Sequence, residues 1–239
     1  MYIEVMFPEV CNLYGDLANI RLIKKSYPET EIIETSLKDI PYFLENVPDL
    51  IYMGSVTEDN QVLVIETLKK YKKRIETLIE QGVCFLITGN ATEVFGGEIS
   101  DIDGTKLEGL GIIGISTKRD MFNRFNSLYL GKFNNMDIVG YKSQFTYSYY
   151  NNDQITSQLF DTIKGIGLNP DVKEEGVRLN NFFATYLIGP LLILNPYFTK
   201  YLLKQLGINN PKLLHEKDMI EAYEIRVKEY SNPKIGFYY

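Results

Sequence analysis

Val83-Cys84-Phe85-Leu86-Ile87-Thr88-Gly89-Asn90-Ala91 is an apolar run that stops abruptly at Thr-Gly-Asn. It reads as a buried strand, a sharp turn at Thr88-Gly89, and then a helix. Such a turn lifts one side chain above the end of a sheet, over a helix N-terminus, where a developing anion is stabilised. Enzymes use that geometry to present Ser or Cys. Here the residue expected in that place is Thr88, and no histidine is evident beside it. The scaffold is that of an enzyme, without the usual nucleophile.

Outward from this stretch, the first half of the chain alternates strands and helices. Tyr2 to Phe7, Glu31 to Thr35 and Leu50 to Met53 read as strands. Asn12 to Ser26 reads as a helix that follows a Gly15-Asp16 turn. Val64, Leu68, Tyr71, Ile75, Leu78 and Ile79 recur at helical spacing and predict one long helix from Glu58 to Gln81, closed by Gly82. This βαβα alternation points to an α/β fold with a parallel sheet covered on both faces.

The middle of the chain changes character. Leu107 to Ile115, Leu128 to Phe133, Ile138 to Tyr141 and Gln144 to Tyr150 are short runs rich in β-branched and aromatic residues. Asn134-Asn135 and Asn151-Asn152 punctuate them, so antiparallel strands and hairpins are expected. Gly176 to Leu187 reads as one or two more strands, Pro196 to Leu206 as a helix opened by proline, and Leu213 to Tyr230 as a last amphipathic helix. No repeat or linker is visible, so one domain over residues 1–239 is expected, ending in a helix at 213–230.

The composition excludes several function classes. The 239 residues are 45% hydrophobic, enough for one sizeable core. A net charge of -6 argues against nucleic-acid binding. No apolar run reaches the roughly 20 residues that span a bilayer, and Met1 to Phe7 is not a signal peptide, so a cytoplasmic protein is expected. With two cysteines and one histidine, neither a disulfide framework nor a structural metal site is expected, and no cofactor is implied.

Four stretches together resemble one family. Asn12-Leu13-Tyr14-Gly15-Asp16-Leu17-Ala18-Asn19-Ile20, the Met53-Gly54-Ser55 loop, Leu86-Ile87-Thr88-Gly89 and Ala184-Thr185-Tyr186-Leu187-Ile188-Gly189-Pro190-Leu191-Leu192 lie in order along the chain. They are similar to class I glutamine amidotransferases of the cobyric acid synthase type, a group that includes the GatD glutaminase subunit of lipid II isoglutaminyl synthase. Gly109-Leu110-Gly111-Ile112 and Glu175-Gly176-Val177 also fit, and the resemblance covers about residues 1–206. It implies a three-layer, flavodoxin-like sandwich with additional antiparallel strands. It also implies a domain that releases ammonia from glutamine for a Mur-ligase-like ATP-dependent partner acting on a cell-wall precursor.

The departures bear on the chemistry. The resemblance puts the family's cysteine at Thr88 and its histidine at Ile188. A threonine hydroxyl is far less acidic than a thiol and needs a positioned base, which isoleucine cannot supply. Asp16 reads as the surviving acid of a lost triad or, equally, as a helix cap or turn residue. Gly54, Ser55 and Gly89 read as a persisting oxyanion or ligand pocket, or as a plain strand-to-helix turn. Gly140-Tyr141-Lys142-Ser143-Gln144-Phe145-Thr146 replaces a polar segment that flanks the family's active site. Cys11 is an imaginable substitute nucleophile. Cys84 reads as a core residue, His215 as a solvated helix residue, and Lys69-Lys70-Tyr71-Lys72-Lys73-Arg74 as an exposed face with Tyr71 turned inward. The expected function is a degenerate, non-hydrolytic amidotransferase-like subunit or regulator of a Mur-ligase-like enzyme. The alternative is an enzyme, or a small-amide or carboxylate binder, that uses an altered pocket at Thr88, Asp16 or Cys11. Glutamine binding stays open.

Overall fold

The computed structural model describes residues 1–151 and 156–238. Its central sheet has six strands, in the spatial order Val177–Leu179, Phe182–Thr185, Cys84–Thr88, Leu50–Met53, Tyr2–Met6 and Glu31–Thr35. Neighbours run parallel except Val177–Leu179, which is antiparallel to Phe182–Thr185. The inner strands Leu50–Met53, Cys84–Thr88 and Phe182–Thr185 are buried throughout and mostly apolar, because both faces of a parallel sheet are covered, while the edge strands are partly polar.

Alternation along each strand divides the core in two. Ile51, Met53, Phe85, Ile87, Phe182 and Ala184 face one cluster, where the helices Glu58–Lys69 and Lys72–Glu80 contribute Val64, Leu68, Ile75 and Leu78. Leu50, Tyr52, Cys84, Leu86 and Phe183 face the other, against Ile20 and Ile23 of helix Ala18–Ser26 and Phe198 and Leu202 of helix Pro196–Gln205. The result is a three-layer α/β sandwich.

The expected helix from Glu58 to Gln81 is two helices. The chain breaks at Lys70-Tyr71, where Tyr71 sits at φ -104° and ψ 0°. The hydrophobic spacing continues through the break, so the sequence pattern does not reveal it. The cause is tertiary. The Tyr71 ring packs edge-on against Phe43 at 6.0 Å, and Arg74 donates to the Phe43 and Asn46 carbonyls at 2.9 and 3.0 Å. Gly82 closes the second helix at φ +83°, with the Gly82 and Val83 amides donating back to Ile79 and Leu78. That is a Schellman ending, and it turns the chain straight into the Cys84 strand.

Two four-stranded sheets carry the additional strands. One contains Glu98–Asp101, Lys106–Glu108, Ile115–Arg119 and Thr146–Tyr150. The other contains Phe125–Phe133, Met136–Gln144, Phe160–Lys164 and Glu174–Glu175, its long hairpin turning at Asn134 with φ +52°. Leu107 to Ile115 is not one strand, as the sequence suggests. Gly109 and Gly111 carry an irregular path between Glu108 and Ile115. A Cβ on Gly109 would lie 2.4 Å from the Gly96 carbonyl, and Gly111 stands at φ +60°. Of the Asn151-Asn152 turn, Asn152 lies outside the described residues. The terminal helix Glu216–Tyr230 lies on the second of these sheets, through Tyr223 beside Leu130 and Val139.

Candidate functional site

The carboxyl ends of the central strands converge on one edge, the usual ligand position in such sheets. There a cavity of about 290 Å3 is lined by Ser55, Gly89, Asn90, Arg124, Gln144 and Ile188, among others. The loop after Leu50–Met53, the turn after Cys84–Thr88 and the segment after Phe182–Thr185 thus meet, as the order of the motifs requires.

Thr88 does not face this cavity. It is fully buried, ends its strand opposite Thr185, and donates its hydroxyl to Asp16 Oδ2 at 3.1 Å. The residue at the apex is Gly89, at φ +64°. A positive φ marks the strained presenting position of a strand-to-helix turn, and glycine holds it without penalty. A Cβ built on Gly89 would lie 2.0 Å from Ser55 Oγ. Ser55 therefore fills the space in which a side chain at the apex would stand.

Asp16 is fully buried and organises this edge. Its Oδ2 accepts from the Ser55 amide at 3.0 Å and the Ser55 hydroxyl at 2.7 Å, as well as from Thr88. Its backbone carbonyl accepts from Tyr52 at 2.9 Å and from Asn19 Nδ2 at 3.0 Å. Burial raises the Asp16 carboxyl above the usual range, and the Ser55 and Thr88 bonds offset part of that rise. Asp16 is a turn residue ahead of helix Ala18–Ser26, whose N-cap is Leu17, and no imidazole is among the partners of its carboxylate. It clamps two hydroxyls and a loop.

The backbone donors expected at an oxyanion pocket are engaged elsewhere. The Ser55 amide bonds Asp16, and the Gly89 amide bonds the Thr185 carbonyl at 2.8 Å. Gly54 is packed so closely that a Cβ would lie 2.7 Å from the Cys11 carbonyl. Asn90 latches the turn to the neighbouring loop by exchanging two bonds with the Val56 backbone, at 2.7 and 3.0 Å.

A model of the CobB/CobQ-like glutamine amidotransferase domain matches residues 2–195. The chain belongs to this family. It is 27% identical over 222 residues to the GatD subunit of the glutamine-hydrolyzing lipid II isoglutaminyl synthase of Staphylococcus aureus, covering 91% of this chain and 89% of that one. The corresponding GatD subunit of Streptococcus pneumoniae is 28% identical over 201 residues, covering 80% of this chain and 74% of the relative. A crystal structure of a glutamine amidotransferase superposes with a TM-score of 0.57 at 12% identity, over 86% of this chain and 99% of that one. Another, from Thermotoga maritima, gives 0.53 at 10% identity, over 96% and 93%. At these identities the two structures bear on the fold, and both have the fold seen here.

In this amidotransferase domain Ile188 lines the cavity beside Gly89 and pairs with Tyr141 of the neighbouring hairpin. An apolar side chain thus stands where the family resemblance expects a base. Cys11 is 1% exposed and is not among the cavity's lining residues, and burial pushes its thiol far up, none of which suits a substitute nucleophile. Cys84 is a core residue whose thiol burial pushes up to about 12. His215 is a solvated residue at the start of the last helix, 3.9 Å from Asp218, and is not among the cavity's lining residues. On the basic run, Lys72 pairs with Glu76 at 3.7 Å on the surface, and Tyr71 is half-buried against the core. No helix among the described residues is long and apolar enough to cross a membrane.

Three further residues shape the cavity and were not visible as site residues in the sequence. Arg124 is the one cation among its lining residues. Glu93 lies behind the wall, 1% exposed, accepting from Thr146 at 2.6 Å and Gln61 at 2.9 Å. Burial pushes its carboxyl up to about 7. Lys142 is fully buried, donates to the Gly167 carbonyl at 2.6 Å and lies 3.4 Å from the buried Glu175. Glu175 in turn accepts from Thr185 at 2.7 Å and the Tyr186 amide at 2.9 Å. Only the carboxylate's position in the Glu175-Gly176-Val177 motif hinted at this network.

Proposed function

We propose that this chain is a GatD-like subunit that has lost glutamine hydrolysis and acts as a partner or regulator of a Mur-ligase-like ATP-dependent amidating enzyme. The observation that supports the reading best is the apex of the turn. Gly89 offers no nucleophile, Ser55 occupies the space above it, and Ile188 supplies no base. A covalent amidotransferase step needs a nucleophile and a base within hydrogen-bond reach. The residual effect of binding alone is small beside an intact triad, because its members act as a unit. Purified protein, alone and with the partner, is expected to release no ammonia from glutamine above buffer. Steady turnover would refute the proposal.

The cavity itself favours a second reading, as a small-amide or carboxylate-binding protein or an altered enzyme. It carries Arg124 at its wall beside the hydroxyl residues Thr57, Ser143 and Thr146, and Ser55 on its lining is already bonded to the Asp16 carboxylate. Calorimetry with glutamine and glutamate separates this reading from a pure scaffold. If any substrate turns over, loss on Ser55→Ala would favour Ser55, and loss on Thr88→Ala would favour Thr88.

A further inference from the structure

Phe122 is 86% exposed, Ile102 62% and Met121 46%. They form an apolar tip whose backbone is fixed. The Asp120 amide donates to the Phe145 carbonyl at 2.8 Å. The Asp120 carboxylate accepts from the Phe122 amide at 3.0 Å and from Asn123 Nδ2 at 2.7 Å. A large aromatic held in water by an ordered turn is the form of a preorganised interface anchor, because little entropy is lost when it docks.

The charge around the tip is one-sided. Ile102, Met121 and Phe122 line a groove of about 330 Å3 whose wall carries Glu58, Asp59, Asp101 and Asp103. Arg119 forms a bidentate pair with Asp101 at 2.6 and 2.8 Å. Arg119 also feels the Glu58 charge, while Asp59 and Asp103 form no salt bridge among the described residues. The Thr105 backbone amide holds the Asp103 carboxyl below the usual range, so that charge persists at neutral pH. The tip also adjoins the site: Glu58 lines both the groove and the elbow cavity, and Arg124 of the cavity follows Phe122 by two residues.

We propose that the Ile102, Met121 and Phe122 tip is the surface that docks the amidating subunit, which would present an apolar socket rimmed by lysine or arginine. Seated there, the partner lies over the mouth of the cavity. The proposal rests on the partner-subunit reading above.

The test titrates the full chain against the purified Mur-ligase-like protein of the same cells, by calorimetry at two salt concentrations. Phe122→Ser is expected to weaken binding about thirtyfold or more, the loss typical of an interface anchor. Asp59→Lys combined with Asp103→Lys is expected to weaken binding and abolish its salt dependence. Ile225→Ser, at a 62% exposed apolar residue on the last helix, is expected to bind as wild type. Thermal melts check that each variant is folded, and an exposed Phe122 can be replaced without loss of core. Wild-type affinity in Phe122→Ser would overturn the docking surface and leave the partner reading standing. Absence of binding by the wild-type chain would overturn both.

Discussion

Lys142→Met is expected to destabilise the protein by about 3–5 kcal/mol, the usual cost of removing one member of a buried ion pair. Lys142 and Glu175 are both fully buried, so the substitution leaves a carboxylate without its counter-charge in a dry interior. Burial lowers the Lys142 ammonium below its ordinary range, while Glu175 works against that shift. Methionine matches the length of the lysine stem, so packing between the Tyr129 and Tyr186 rings is largely kept. The deficit is therefore electrostatic, and adding Glu175→Gln should restore much of it. Urea unfolding of the two single variants and the double variant measures this as a coupling energy. Additive losses would show that the pair is not coupled. Lys142 is followed in its strand by Ser143 and Gln144, and Glu175 holds Thr185 and Tyr186 just ahead of Ile188, so the single variant should also loosen the cavity wall.

Glu93→Gln is expected to stabilise the protein above neutral pH and to leave it nearly unchanged below pH 5. Burial raises this carboxyl from 4.5 to about 7 in the folded protein. Between those values the unfolded chain binds fewer protons than the folded one, so stability falls as pH rises through that window. At pH 8 the full penalty is about 3 kcal/mol. Glutamine is isosteric. Its carbonyl can accept from Gln61 and its amide can donate to the Thr146 hydroxyl, so both bonds of the carboxylate have counterparts. Unfolding midpoints at pH 5 and pH 8 check the expectation. An identical pH dependence in Glu93→Gln and wild type would show that another group carries the slope.

Both residues show how far the sequence could be read. The motif of Glu175-Gly176-Val177 was visible, but its ion pair was not, because Lys142 reaches it from the opposite edge strand of the same sheet, more than 30 residues away in sequence. Glu93 follows the turn by four residues and looks like an ordinary helical acid. Its burial comes from packing against Thr146 and Gln61, neither of which is near in sequence. Arg124 carries no local signal either, since it sits in the short loop between strands Ile115–Arg119 and Phe125–Phe133 with no motif around it.

The amino-acid sequence by itself determined the parallel sheet and its order of motifs. Apolar runs, helical spacing and Gly82 are local properties, and each is set by the period of its own element. It also determined that isoleucine stands at position 188. The phase of the turn was decided by tertiary structure alone. Within Ile87-Thr88-Gly89-Asn90, sequence pattern does not fix which residue ends the strand. Pairing with Phe182–Thr185 does: Thr88 lies opposite Thr185, and the next amide, that of Gly89, donates to the Thr185 carbonyl. Register with a strand distant in sequence moves the apex by one residue, and side chains on a strand alternate faces at each step. That single step buries Thr88 against Asp16, places Gly89 at the cavity, and leaves Ser55 in the space above it.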